Sequence, residues 1–324
     1  MFSVALSRGS PRVAVSNHPA LRSPDFPRQA RPAGPTRPPG QLVRSTKHRS
    51  SDTRLACGGR LPRVAQAPKL AWRVVPWTHL PLLVVAGILA GTVNALAGGG
   101  SLLLFPTLLA VGFSPLAANV TNSVAQCPGY VGFALGSRGE LSGQLGRVLS
   151  TTGVAMVGSL AGSLLLLVLP AKVFDAVVPA LVALASLLLG VQPRLARWMG
   201  EPEPGGPDRR GLLLPAVFIA AFYGGYFGGA LGVVLIAVLA LAAHDDLRRL
   251  NAVKGVLSLI ISVVSLVVFA LGAPVDWLAV ALLAPATLVG GYLGAKLAGR
   301  LAAATLRSAV VVVGLAVSIY LFVT

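Results

Sequence analysis

Acidic side chains are scarce in this sequence: ten Asp and Glu stand among 324 residues, against 27 Lys and Arg. None of the ten falls in the middle of an apolar run; Asp175 and Asp276 stand at the ends of such runs, as do His79 and His244. That removes the usual intramembrane carboxylate of a proton- or sodium-coupled carrier. Cysteine is nearly absent too, and Cys57 and Cys127 lie in unrelated segments without His or Cys at metal-ligand spacing. Neither a disulfide framework nor a metal site is expected. No GxxxxGK[ST] segment occurs, which leaves no phosphate-cradling loop for ATP coupling. The apolar segments hold no nucleophile paired with a base. Transport is therefore expected rather than catalysis, and no cofactor is expected.

What the sequence has instead is apolar length. Hydrophobic residues make up 55% of it, and the runs repeatedly approach the roughly 20 residues needed to cross about 30 Å of hydrocarbon. The fold class is therefore all-α, a polytopic bundle of transmembrane helices in a lipid bilayer. The net charge of +17 suggests nucleic acid until it is located. Residues 1–75 hold fourteen of the Lys and Arg residues against Asp25 and Asp52, so most of the charge belongs to the N-terminal stretch. That stretch is rich in Pro, Arg and Ser and lacks a periodic apolar face, which predicts a disordered tail and no nucleic-acid-binding domain. Its composition imitates an organellar transit peptide, and a start codon downstream, near Leu70 to Val75, is the other reading.

From Trp77 onward the pattern predicts segments at 78–97, 101–113, 116–136, 148–169, 173–191, 212–227, 229–243, 250–272, 276–298 and 303–323. The polar stretch "QPRLARWMGEPEPGGPDRRG" separates two halves. The expected organisation is a tail at 1–75, a first membrane repeat at 76–195, a linker at 196–211 and a second repeat at 212–324. The halves resemble each other: "LAGGGSLLLFPTLLAVG" corresponds to "YFGGALGVVLIAVLALA", and "GSLAGSLLLLVLP" to "GGYLGAKLAGRLA". Repeats with an interruption in the same place are a signature of secondary transporters.

Charge suggests an orientation. If residues 78–113 and 212–243 are each a hairpin that enters and leaves from one side, twelve of the Lys and Arg residues after the tail share a side and only Lys172 opposes them. That is the bias expected of a cytoplasmic face. With five segments per half, the repeats would be inverted and their hairpin tips would enter from opposite faces. The basic tail would then lie outside.

Three consecutive glycines, Gly98, Gly99 and Gly100, interrupt the first of these regions, and Gly228 and Gly229 interrupt the second. A helix that restarts at Ser101 leaves its first N–H groups free and presents a positive dipole end, which together form an anion site without side chains. The bland alternative is close helix packing through small residues. Polar stripes follow each break. Asn119, Asn122, Ser123 and Gln126 recur on one face with Thr121 beside it, and Asn251, Lys254, Gly255, Ser258, Ser262 and Ser265 repeat the spacing. Lys254, one turn into its helix, is the candidate for substrate charge; its alternative is a lysine that snorkels to the interface. In "HDDLRR", Asp245 or Asp246 is expected to cap the next helix.

The patterns "AGTVNALAGGGSLLLFPTLLAVGFSPLAANVTNSVA" and "RRLNAVKGVL" together resemble the TauE/SafE sulfite exporter family of membrane permeases. The likeness covers nearly all of residues 80–323 and implies a multi-pass protein of the cell membrane that moves sulfur-containing anions such as sulfite, sulfonates or sulfoacetate. This sequence places Gly255 after the lysine, where relatives often carry a second amide. The expected substrate site is built from Gly98, Gly99, Gly100, Ser101, Thr121, Asn122, Gly228, Gly229, Asn251 and Lys254, with one repeat rocking against the other around a small anion. A scaffold protein without transport and an intramembrane enzyme are the alternatives from other classes.

Overall fold

The computed structural model describes residues 79–199, 208–297 and 303–323. The expected N-terminal tail and half of the expected linker, residues 200–207, lie outside the described residues. Among the described residues the structure is helical and has no strand. Ten helices run in order: α1 (Leu80–Ala97), α2 (Ser101–Ala110), α3 (Pro115–Gly136), α4 (Leu145–Val168), α5 (Ala171–Met199), α6 (Arg210–Tyr226), α7 (Leu231–Ala242), α8 (Leu247–Gly272), α9 (Trp277–Lys296) and α10 (Ala303–Val323).

Six helices are long and apolar enough to cross a membrane: α1, α4, α5, α8, α9 and α10. The sequence pattern predicts ten segments; α2, α6 and α7 turn out to be shorter apolar helices. At 22 residues α3 has the length, but its Asn, Thr, Ser and Gln lower its apolarity. Helix α5 also continues past the expected end of its span, through Pro193 to Met199, so part of the polar stretch expected as linker is helical. Large apolar side chains such as Leu271, Val168 and Phe322 are strongly exposed on the outside, where lipid would meet them.

Local sequence explains the starts. Pro115 occupies the first turn of α3, where its missing N–H costs nothing, and Ser114 accepts from the Ala117 N–H. Asp246 caps α8 by accepting from Arg248 N–H, and Asp276 caps α9 by accepting from Ala279 N–H.

The helices pack across the halves. Helix α9 lies against α1 and α3, and α4 lies against α6 and α8, while α5 pairs with α10 and α3 crosses α8. Small residues set these approaches. Gly91 backs onto Thr287 and Gly291, Gly294 onto Thr92 and Ala95, Gly129 onto Thr287, and Gly162 onto Phe222 and Tyr226. Registers from successive contacts show α1, α3 and α9 running one way, and α4, α6 and α8 running together. Lipid offers no hydrophobic drive between helices, so this backbone-to-backbone contact is the main source of cohesion.

A methyl group at Gly291 would strike the Gly129 carbonyl, whereas one at Gly153 meets nothing within 4 Å. Gly291→Ala should therefore destabilise the detergent-solubilised protein by about 1–3 kcal/mol, and Gly153→Ala should be neutral or stabilising by up to about 1 kcal/mol. Thermal unfolding of both variants measures the contrast.

Candidate functional site

Helix α1 ends because Gly98 takes the left-handed conformation, φ 79°, with its N–H shared between Val93 and Asn94 carbonyls. Past the end of α6 the same event recurs at Gly228, φ 73°, with its N–H on the Tyr223 carbonyl. Glycine enters this region without steric cost. After each break the chain starts a new short helix, α2 or α7. Gly100 packs against Ala90 and Asn94, so the start of α2 lies beside the last turns of α1. Likewise the Arg209 N–H before α6 donates to the Ala242 carbonyl at the end of α7, 2.8 Å away, so the two outer ends of that pair meet. The breaks also meet each other: a Cβ on Gly98 would fall 2.6 Å from the Gly232 carbonyl carbon.

Starting a helix inside a bundle leaves N–H groups free. Those of Gly99, Gly100 and Ser101, and of Gly229, Ala230 and Gly232, have no acceptor among the described residues. Ala230 is the non-glycine residue with positive φ, 53°, a conformation that costs about 1–2 kcal/mol. The Gly229 carbonyl beside it is held by the Tyr223 hydroxyl at 2.6 Å.

A cavity opens between the two breaks and the α3–α8 crossing, with about 280 Å³ of unfilled space, its mouth included. Ser101 and Leu231, the first residues of α2 and α7, line it together with Gly228. Helix α3 contributes Ser123, Gln126 and Tyr130, and α8 contributes Ser262 and Ser265. Both Gln126 amide atoms are buried without a partner, as is the Ser258 hydroxyl at the same level of the crossing. Left bare, each such group costs about 1–3 kcal/mol, so these positions call for water or a polar ligand.

Of the residues expected from sequence, Ser101 and Gly228 line the cavity. Gly98 joins the two breaks, Gly99 packs on Leu189, Gly100 on α1, and Gly229 on the Phe227 ring. Thr121 lies elsewhere: its hydroxyl accepts from the Asp276 N–H at 3.1 Å and fastens the α8–α9 turn. Asn122 is buried with an unpartnered Oδ1 but does not line the cavity. Asn251 is half-buried on the first turn of α8. Lys254 is buried, its Nζ 5.2 Å from the centre of the Phe133 ring, with no carboxylate in reach among the described residues. Eight residues separate Lys254 from Ser262, about 12 Å along the helix. The stripe spacing picks out Ser123 and Gln126 on α3 and Ser262 and Ser265 on α8; Tyr130, four residues beyond Gln126, continues the α3 stripe but was not among the expected site residues.

One end of the bundle carries a charged cluster. Arg147 pairs with Asp208 at 2.8 Å and with Asp245 at 3.0 Å, Gln144 donates to Asp245 at 2.6 Å, and Arg249 reaches Asp245 and the Ser142 carbonyl. The cluster joins the start of α4 to the turns before α6 and α8. Its bonds from Arg147 hold the Asp208 carboxyl below the ordinary carboxylate value. Burial pushes Asp245 up, but the bonds from Gln144 and Arg147 outweigh it and leave that carboxyl lowered as well.

Residues 83–321 match the model of the family described as sulfite exporter TauE/SafE. The chain belongs to that family. It is 30% identical over 226 residues to the probable membrane transporter protein YfcA of Escherichia coli strain K12, covering 68% of this chain and 80% of the relative. It is 25% identical over 250 residues to the probable membrane transporter protein ORF9 of a Sinorhizobium species, covering 75% and 92%. No solved structure matches. With its six long apolar helices, the protein is a multi-pass membrane transporter of the TauE/SafE family.

Lowered carboxylate pKa values mean that the cluster stabilises the fold at neutral pH and is lost as pH falls. A double-mutant cycle of Arg147→Gln with Asp208→Asn should give a coupling of at least ~1 kcal/mol at pH 7. That coupling should persist down to about pH 4, the ordinary carboxylate value, and vanish as pH drops below it through the lowered folded value. Thermal unfolding across pH 3–7 reads both parts.

Proposed function

We propose that this transporter carries small anions, sulfur-containing ones such as sulfite or organosulfonates, across the cell membrane by alternating access. The observation that carries the proposal is that the first residues of α2 and α7 open on one cavity. Two helix N-termini with free N–H groups place positive dipole ends around a space walled by neutral hydroxyl and amide groups. Such a site suits a small oxyanion. Gly98, Gly99, Gly100, Gly228 and Gly229 shape it, Ser101 and Gln126 contact the anion, and Asn122 and Asn251 extend the polar path along α3 and α8. Lys254 supplies the full positive charge further along α8.

The reading includes two inverted repeats, each with a broken hairpin. It is supported by matching pairs: Gly158 packs on Phe218 and Gly290 on Ile88, while Gly162 packs on Phe222 and Gly294 on Thr92. In each comparison the positions differ by 132 residues on one helix and by 130 on the other. The left-handed glycines Gly98 and Gly228 are also 130 apart. We place the first repeat at 76–195 and the second at 212–324, with the linker between them and the basic end facing the cytoplasm.

The interlocked packing bears on the motion. Helices α1, α3 and α9 form one group and α4, α6 and α8 another, each with members from both halves. Rocking one sequence half against the other would tear the glycine contacts within both groups. Sliding along the α3–α8 crossing leaves them intact, and we assign the motion there.

Labelled sulfite, followed by a small panel of sulfonates, should enter proteoliposomes with saturable kinetics. Gln126→Ala and Lys254→Ala should each lower kcat/KM at least tenfold, whereas Thr121→Val should leave it within about twofold, since its hydroxyl is committed to the α8–α9 turn. Absence of saturable flux for every sulfur anion would remove the substrate assignment.

A further inference from the structure

The buried ammonium of Lys254 has an aromatic ring where a counter-ion would be expected. Its exposure is 4%, no acid pairs with it among the described residues, and the Phe133 ring covers it. The ring stands there because Gly255 makes room: a Cβ at position 255 would strike Phe133 at Cε1 and Cδ1. Phe133 belongs to α3 and the Gly255–Lys254 step to α8, so this contact lies across the crossing between the two helix groups.

Its position along the crossing is equally specific. Phe133 is one turn beyond Tyr130, which lines the cavity, in the direction of Arg138 and the charged cluster. Lys254 is five residues, about 7.5 Å of rise, from Arg249 in that cluster. The ring therefore stands between the cavity and the charged end. At the other end of the same crossing the contact is open and polar, with the Ser262 hydroxyl donating to the Ser123 carbonyl at 3.3 Å and Ser265 facing the cavity.

We propose that Phe133 is a gate, and that Lys254 beneath it is a second anion subsite which becomes reachable from the charged end only when α3 and α8 part at Gly255. The proposal rests on the transport reading above and adds a sequence of events to it. An oxyanion held in the neutral cavity passes to the ammonium as the ring withdraws, exchanging a cation–π contact for an ion pair. No proton or covalent step is required. Gly255 is thereby a functional part of the gate, since a side chain there would hold the ring away from its seat.

Accessibility of position 254 tests this in the full chain. Lys254→Cys is reconstituted in proteoliposomes and labelled with an anionic methanethiosulfonate applied from the side that labels Arg249→Cys; labelling of the parent chain is subtracted. With Phe133 intact the reaction should be slow. Adding Phe133→Leu should accelerate it at least tenfold, and adding Gly255→Ala, which displaces the ring without removing it, should do the same. Equal rates with and without Phe133 would mean that Lys254 simply reaches the interface, and would overturn the gate. No labelling in any of the variants would overturn it too, because no path to the subsite would exist. Labelling needs no transported substrate, so failure of the gate is read separately from failure of sulfite flux.

Discussion

Inside a bilayer a peptide N–H without an acceptor costs several kcal/mol, so a helix can be interrupted only where protein covers the interruption. This protein has two interruptions, and the rest of the fold is arranged so that each covers the other. The Gly98 and Gly232 backbones touch, a distance that no side chain at either position would permit. Asn119 on α3 donates to the Tyr226 carbonyl at 3.1 Å, and Tyr223 holds the Gly229 carbonyl, so the second break is also fastened from the side. What remains without an acceptor among the described residues is a set of helix-starting N–H groups, and one of their residues, Ser101, lines the cavity beside Gly228 and Leu231. A transporter gains from this constraint, because the groups the fold cannot pair internally are those a passing anion can use.

The same constraint explains the glycine distribution. Covering two breaks from both sides draws α1 and α3 onto α9, and α6 and α8 onto α4, at distances where backbone meets backbone. Hydroxyls reinforce these seams: Ser159 donates to the Ile261 carbonyl, Ser163 bonds the Ser265 hydroxyl, and Thr287 donates to the Ala125 carbonyl. Such bonds are modest individually, about 0.6 kcal/mol in membrane bundles, but they fix register where apolar packing alone would allow sliding. The α3–α8 crossing differs. It has unpartnered amide and hydroxyl groups at its centre.

Much of this was legible in the residues, and the part that was not has a physical reason. A glycine cluster in an apolar run announces a break because each glycine weakens the helix, and here all three also pack closely: Gly98 on Gly232, Gly99 on Leu189 and Gly100 on Ala90. A family likeness carried by the same residues is matched over residues 83–321. Local chemistry offered Asp245 or Asp246 as a helix cap, and Asp246 is the one that caps α8. Spacing also placed the polar stripes on one helix face. Spacing gives the face but not the depth: Thr121 and Gln126 stand five residues, about 7.5 Å of rise, apart on the same helix, and one fastens a turn while the other reaches the cavity. Tyr130 continues the α3 stripe four residues beyond Gln126, but an aromatic in an apolar helix reads as packing, so its place at the cavity was missed. Nor could a pattern reveal that Asp208 and Asp245 converge on Arg147 from distant turns.

The two ends of the crossing differ chemically, and within the proposed repeat arrangement that difference would serve direction. A 132-residue offset relates Ser265 to Phe133, Ser123 to Gly255 and Asn122 to Lys254. At one end the Ser262 hydroxyl meets the Ser123 carbonyl, and at the other the Phe133 ring is seated on Gly255 over a buried cation. A carrier whose two ends were chemically identical would favour neither state in the absence of an external bias. In the gate proposed above, the aromatic ring seated on Gly255 favours closure at that end. The buried cation then offsets that bias when an anion arrives, because an ion pair compensates for the lost ring contact. On that proposal the exchange needs only the anion's own charge, and no step in it calls on an intramembrane carboxylate.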